Sequence, residues 1–351
     1  MFKNQPVWVY GVAGLILVLG ITALLMQDSV FFKTKNSSTD SLVMIEKLTP
    51  EIETLTEQIK NDPNNAGLVF NRANAYFNYG NLKFALQDYE KAYHMDSLNA
   101  PFALGLSDCL FEMSNPEGSI LILERFIAHS PENIDVLNAL ALEYFLLPKP
   151  RYNLAIDTYN KVLKLDIQNA DAYFYKGLIF KETGDTAKAI SSFQTCTEVD
   201  PDYYDAYMQL GMLYSAKKDP IAIKYYNNAI SVNDTSKEAE YGIAKYFQDA
   251  GDLENAISYY RNIIVDDPQD ADALYNLATI YFGIDSIEKA YRYFDLTIKQ
   301  SPARAIAYYG KGLCAEQLKK MDEAISNYKQ AVNLDPELTE ATERLKALNA
   351  D

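Results

Sequence analysis

Two histidines and three cysteines are the residues of this 351-residue chain best suited to metal or nucleophilic chemistry. Their spacing supports neither. His94 and His129 have no Cys or His at the short intervals from which a zinc site collects its ligands. Cys109, Cys196 and Cys314 are scattered, with no Cys-x-x-Cys pair to act as a redox couple. Each falls inside a helical pattern, which suits a small buried hydrophobe. A glycine-rich phosphate loop and a nucleophile elbow are also missing from the sequence. The 48 acidic residues could supply acid–base pairs, but they recur early in successive amphipathic stretches, as helix-dipole partners do. The expectation is no enzyme activity, no cofactor, no metal and no small-molecule substrate. A formal net charge of −16 argues against nucleic acid as a partner, which needs a basic footprint, and leaves basic polypeptides open.

The stretches that carry these side chains repeat. Ala85, Ala155, Ala189, Ala222, Ala256, Ala290 and Ala324 are each followed four residues later by an aromatic. Those aromatics are Tyr89, Tyr159, Phe193, Tyr226, Tyr260, Phe294 and Tyr328. Pro268, Pro302 and Pro336 fall in step at a spacing of 34. Apolar residues such as Leu274, Leu277, Ala278 and Tyr281 recur at helical spacing. Each unit therefore reads as two amphipathic helices. Asn65, Asn99, Asn133, Asn169, Ser236 and Asp270 stand where an N-cap opens the first helix. Gly80, Gly184 and Gly251 can end it in a left-handed conformation, and Asn81, Asp185 and Asp252 can cap the second. The units run 66–99, 100–133, 134–169, 170–203, 204–236, 237–270, 271–304 and 305–338.

In 204–236 the first helix carries Tyr207, Leu210, Gly211 and Tyr214, and the second carries Ala222, Tyr226 and Ala229. This pattern resembles the tetratricopeptide repeat (TPR) family, which has a 34-residue period. The resemblance covers 66–338. The second unit departs from it with Ser119 and Leu123, where Ala and an aromatic are usual. The third unit is lengthened at Leu147-Pro148-Lys149-Pro150-Arg151, an insertion in the inter-helix turn. The resemblance implies an all-α fold, an α-solenoid wound as a right-handed superhelix. One unit cannot bury its apolar face alone, so neighbours must stack.

The resemblance also implies that first helices line a concave groove that takes protein or peptide partners. The fifth residue of each unit then points inward: Phe70, Leu104, Asn138, Phe174, Met208, Tyr241, Tyr275 and Tyr309. Asn74, Asp108, Lys245 and Thr279 follow one turn on. The competing account of this ladder is packing between helices. The basic residues with which some family members clamp chaperone C-termini are missing from the first unit, which has Phe70, Asn71 and Asn74 there.

Ahead of the array, 1–6 is a short tail and 7–26 reads VWVYGVAGLILVLGITALLM, without a charge. As a helix it would span about 30 Å, the thickness of a bilayer core. The expectation is a single-pass transmembrane helix acting as an uncleaved signal anchor, with the array extracytoplasmic. A cleaved signal peptide competes, although the run is longer than usual for one. Residues 27–41 read as a flexible linker and 42–62 as leading helices, with Ile52, Leu55 and Ile59 on one face of the last. Residues 339–351 read as a capping helix. Together these features describe a membrane-anchored scaffold in envelope assembly. A periplasmic chaperone helper at a translocon and a cytosol-facing sorting receptor are the alternatives. Bacterial lipopolysaccharide-assembly regulators share the anchor and repeats, but their cysteine-rich metal module has no counterpart here.

The register makes a direct prediction. Ala278→Trp should overpack the helix pair and destabilise the array by roughly 1–3 kcal/mol, read as a lower thermal midpoint; an unchanged midpoint would remove this assignment of the small position.

Overall fold

The computed structural model describes residues 49–348, and every regular element among them is a helix. The expected spanning segment 7–26 lies outside the described residues, as do 1–6, 27–41, Leu42, Ile45, Leu48 and 349–351. Among the described residues no helix is long and apolar enough to cross a membrane.

A leading helix α1 (Pro50–Asn61) is followed by α2 (Ala66–Asn78) and α3 (Leu82–Met95). The second unit holds α4 (Ala100–Glu112) and α5 (Pro116–His129), the third α6 (Ile134–Leu146) and α7 (Tyr152–Leu165). Then come α8 (Ala170–Glu182) with α9 (Thr186–Val199), and α10 (Tyr204–Ala216) with α11 (Ile221–Val232). The array continues through α12 (Lys237–Ala250) with α13 (Leu253–Asp266), and α14 (Ala271–Gly283) with α15 (Ile287–Gln300). It closes with α16 (Ala305–Gln317), α17 (Met321–Leu334) and α18 (Thr339–Ala347). Each helix packs on the next, and first helices of adjacent units also touch each other. First helices therefore form the more closely spaced wall of the stack.

Small residues on the first helices seat aromatics from the second. A methyl group built on Gly211 would lie 2.6 Å from the Tyr226 ring, and one on Gly242, in the following unit, 2.5 Å from it. Tyr226 is thus held between two consecutive first helices. Phe193 against Gly177 and Tyr328 against Gly312 repeat the contact within a unit, and Tyr89 against Gly105 repeats it across units. Phe294 reaches the next unit at Gly310. Leu274 and Phe294 are buried, as their places in the repeat demand.

The cap residues read from the sequence cap their helices, with two exceptions. Asn65, Asn133, Asn169, Ser236 and Asp270 accept from backbone N–H groups of the first turn. Asp185 and Asp252 do the same for α9 and α13. Asn99 and Asn81 occupy cap positions, but their side chains make no capping bond. Their helices are instead closed by backbone bonds such as Ala103 N to Asn99 O, 3.1 Å, and Ala85 N to Asn81 O, 3.0 Å. Second helices end in an Asx turn, as at Asp200, whose Oδ1 accepts from Asp202 N at 3.0 Å, with Pro201 between them. In α1, Ile52 and Ile59 are buried against the first unit, and in α18 Ala341 and Leu345 cover the last. The third unit's insertion is pinned at both ends: Leu147 is buried, and Arg151 N donates to Tyr144 O at 2.8 Å.

The turn between paired helices requires one left-handed residue. Gly251 takes it with φ +82°, and Gly80 and Gly184 match it. The equivalent residues elsewhere are Ser114, Lys218, Asp285 and Lys319, with φ between 55° and 61°. A side chain there costs about 1–2 kcal/mol. Lys218→Gly and Lys319→Gly should each raise the unfolding free energy, by roughly 0.5–1 kcal/mol after the added freedom of the unfolded chain is offset. Denaturant melts of the two variants measure this, and a decrease would contradict it.

Candidate partner-binding surface

The fifth-position ladder lies along the wall of first helices, where it serves the stacking of units. The Phe70 ring sits 4.9 Å from Phe102 of the next unit and 5.6 Å from Tyr89 of its own. Phe174 lies 4.9 Å from Tyr203, which leads into the following unit. Phe174 and Met208 are only 7% and 4% exposed, so they offer a partner little surface. The other six, Phe70, Leu104, Asn138, Tyr241, Tyr275 and Tyr309, are half-buried.

The tyrosines of the ladder carry polar links between units. The Tyr241 phenol donates to the carboxylate of Asp270, the N-cap of the next first helix. Burial, then this bond, raises its pKa well above the phenol range. Tyr275 has the Arg304 guanidinium stacked 4.3 Å from its ring centre, while Arg304 also donates to Asp272 at 2.6 Å. Tyr309 packs 5.9 Å from Tyr328. Tyr203 donates to Asp171 at 2.8 Å. The first-turn acids Asp171 and Asp272 thus sit at the positive end of their own helix and receive a side chain from the N-cap residue of the next first helix.

The residues one turn on are more varied. Asn74 Oδ1 accepts from Tyr89 at 2.7 Å. It also borders a recess of about 590 Å³ between α1 and α2, lined with Pro50, Glu51, Thr54, Leu55, Gln58 and Asn71. Lys245 is exposed and paired with Asp249 at 2.7 Å. The Thr279 hydroxyl donates back to Asn276 O at 2.8 Å. Asp108 is half-buried, and its carboxyl is pushed up to about 7 by desolvation and then by Glu112.

Near Asp108 lies a polar cluster that the repeat pattern did not single out. Glu143, Ser107 and Ser119 are all buried. Both hydroxyls bond to Glu143 Oε1, at 2.6 and 2.5 Å. Ser119 had been visible only as a departure from Ala. Glu143 stands where other units carry Ala75, Cys109, Ile179, Leu213, Tyr246, Ile280 and Cys314. A charged residue at an otherwise apolar repeat position was the signal available in the sequence. A partly buried pair joins Arg72 to Asp88, 2.6 Å apart, in the first unit. The three cysteines are buried, and burial raises each thiol. Among the described residues no group of three His, Cys, Asp or Glu side chains is arranged to hold a metal ion.

Comparison with known proteins agrees with this geometry. Family models described as tetratricopeptide repeat match residues 170–203, 247–315 and 305–338. Tetratricopeptide repeat protein 14 of Mus musculus is 30% identical over 114 residues, 30% of this chain and 15% of that protein. The human protein O-mannosyl-transferase TMTC1 is 23% identical over 175 residues, 48% of this chain and 20% of that protein. The chain therefore spans a fifth or less of the length of these relatives. The C-terminal part of a TPR repeat-containing protein from Cytophaga hutchinsonii superposes with a TM-score of 0.57 at 19% identity, over 68% of this chain and 97% of that one. The described residues thus form an all-helical solenoid, and the segments matched by the family models carry tetratricopeptide repeats.

Proposed function

We propose that this chain is a non-catalytic scaffold whose wall of first helices binds an extended or helical segment of a protein partner. The observation that carries the reading is the row of half-buried side chains on that wall, Phe70, Leu104, Tyr241, Tyr275 and Tyr309, each partly exposed. Aromatic edges supply contact area at low entropic cost, and the acidic first turns beside them favour a segment with basic residues. Segment 7–26, by its apolar length, tethers the scaffold to a membrane, with the array on the extracytoplasmic side and a role in envelope assembly. The activity named for the human relative belongs to a protein of which this chain matches one fifth.

Crosslinking pull-downs with the wild type and a Tyr241→Ala/Tyr275→Ala variant test the binding reading. Partners captured by the wild type should be lost or much reduced in the variant, with helix content unchanged by circular dichroism. Retention of specific partners at full strength would remove the wall as the binding surface. The membrane reading is tested separately: deletion of 7–26 should move the protein from the membrane to the soluble fraction.

A further inference from the structure

The junction of the second and third units is built around a carboxyl group with too few hydrogens supplied by its neighbours. Glu143 on α6 is 7% exposed. Ser107 Oγ lies 2.6 Å from its Oε1 and Ser119 Oγ lies 2.5 Å from it. The two hydroxyl oxygens are 2.7 Å apart, and Ser119 Oγ is 2.8 Å from Ser107 O. Four oxygen–oxygen contacts at hydrogen-bond distance thus share the single hydrogen of each serine. A carboxylate adds none, whereas a carboxylic acid adds a third. Glu143 Oε2 has no hydrogen-bond partner at all. A buried carboxylate left in that state is heavily penalised.

Among the described residues, none of the groups acting on the Glu143 carboxyl is a cation. On α4 the facing groups are Asp108 and, a turn on, Glu112, both acidic. On α5, Glu117 is paired with Arg151 at 2.5 Å and Glu124 accepts from Tyr144 of α6 at 2.6 Å, while Arg125 and His129 are exposed. On α7 the buried titratable group is Tyr159, held neutral by burial. On α8, Lys176 is turned to Asn160 at 2.8 Å. The serines and the acid come from α4, α5 and α6, so one proton position touches all three helices.

We propose that Glu143 is a proton-binding site: the second and third units close around its neutral carboxyl, and its ionisation loosens the junction of α4, α5 and α6. The reading is independent of what the wall of first helices binds. Burial raises the Glu143 carboxyl from 4.5 to about 7, against the lowering effect of the two serines, and Asp108 adds to the rise. The folded chain therefore holds an extra proton that the unfolded chain has released. The junction is firmest below about 4.5, weakens as pH rises, and reaches its full loss once pH passes about 7. Asp108, raised to about 7 as well, acts in the same direction, so the two titrate as a coupled pair.

Amide hydrogen exchange on the full chain from about pH 5 to about pH 8.5, corrected for the intrinsic rate, tests this. Protection of α4–α6 amides relative to α14–α16 amides should fall at least about tenfold across that range. In Glu143→Gln, which supplies amide hydrogens at any pH, the fall should shrink markedly. In Glu143→Gln/Asp108→Asn it should vanish. A wild-type protection ratio constant with pH would overturn the proposal even if neither variant folds. So would a Glu143→Gln variant with the full wild-type dependence.

Discussion

The stack depends on aromatic rings from second helices packing against first-helix residues with almost no side chain. Tyr226 shows the constraint most directly. Its ring fills the space where Gly211 of its own unit and Gly242 of the next lack a Cβ. Burying such a ring contributes on the order of 1.5–3 kcal/mol, and the seat exists only if both glycines stay bare. One side chain therefore fixes the spacing within a unit and the pitch to its neighbour. The remaining features, caps, turns and polar links, adjust a geometry that this contact sets.

Because that contact reaches only adjacent units, stability is passed along the array from neighbour to neighbour. Polar links run in the same direction and over the same reach. Tyr203 to Asp171, Tyr241 to Asp270 and Arg304 to Asp272 each join a first helix to the N-cap residue of the next first helix. The last of these is partly exposed, so its contribution is small in energy. Its effect is on register, since Arg304 can meet Asp272 and stack on Tyr275 only when α14 and α16 are correctly aligned. The two ends differ in how they stop the series: α1 covers the first unit with Ile52 and Ile59, and α18 covers the last with Ala341 and Leu345.

The fold was legible because a period close to 34 carries nearly the same physical instruction through eight units. An apolar stripe, an Ala and an aromatic four residues later are hard to mistake when they recur in step. The positions that were not legible lack such repetition. Lys218 and Lys319 take left-handed turns because the helix pair imposes them, and neither residue type announces it. Asn99 reads as a cap, yet its side-chain oxygen is buried without a partner. The binding surface was less legible for a deeper reason. At the fifth position an aromatic side chain suits packing against the next unit and contact with a partner equally well. Phe174 and Met208 are taken by the first use, while Tyr241 and Tyr275 are packed yet partly exposed, and only the packing of neighbours decides which.

The second and third units break the pattern in three places that turn out to be one place. Ser107 at the small position, Ser119 for the usual Ala and Glu143 for an apolar residue look like unrelated substitutions along the chain. Folding brings them onto one shared oxygen. An apolar trio of the same shape would pack without any hydrogen-bond requirement, and replacing buried ionic groups in that way is often neutral or stabilising. The polar trio therefore adds dependence on protonation to a junction that could have been built without it. In an array where each unit leans only on its neighbours, such a junction is a point at which the wall of first helices can change curvature while the units on either side stay intact. Asp108 and Asn138 stand on the two first helices that meet there, so the proposed ionisation of Glu143 acts on the helices that carry this part of the candidate wall.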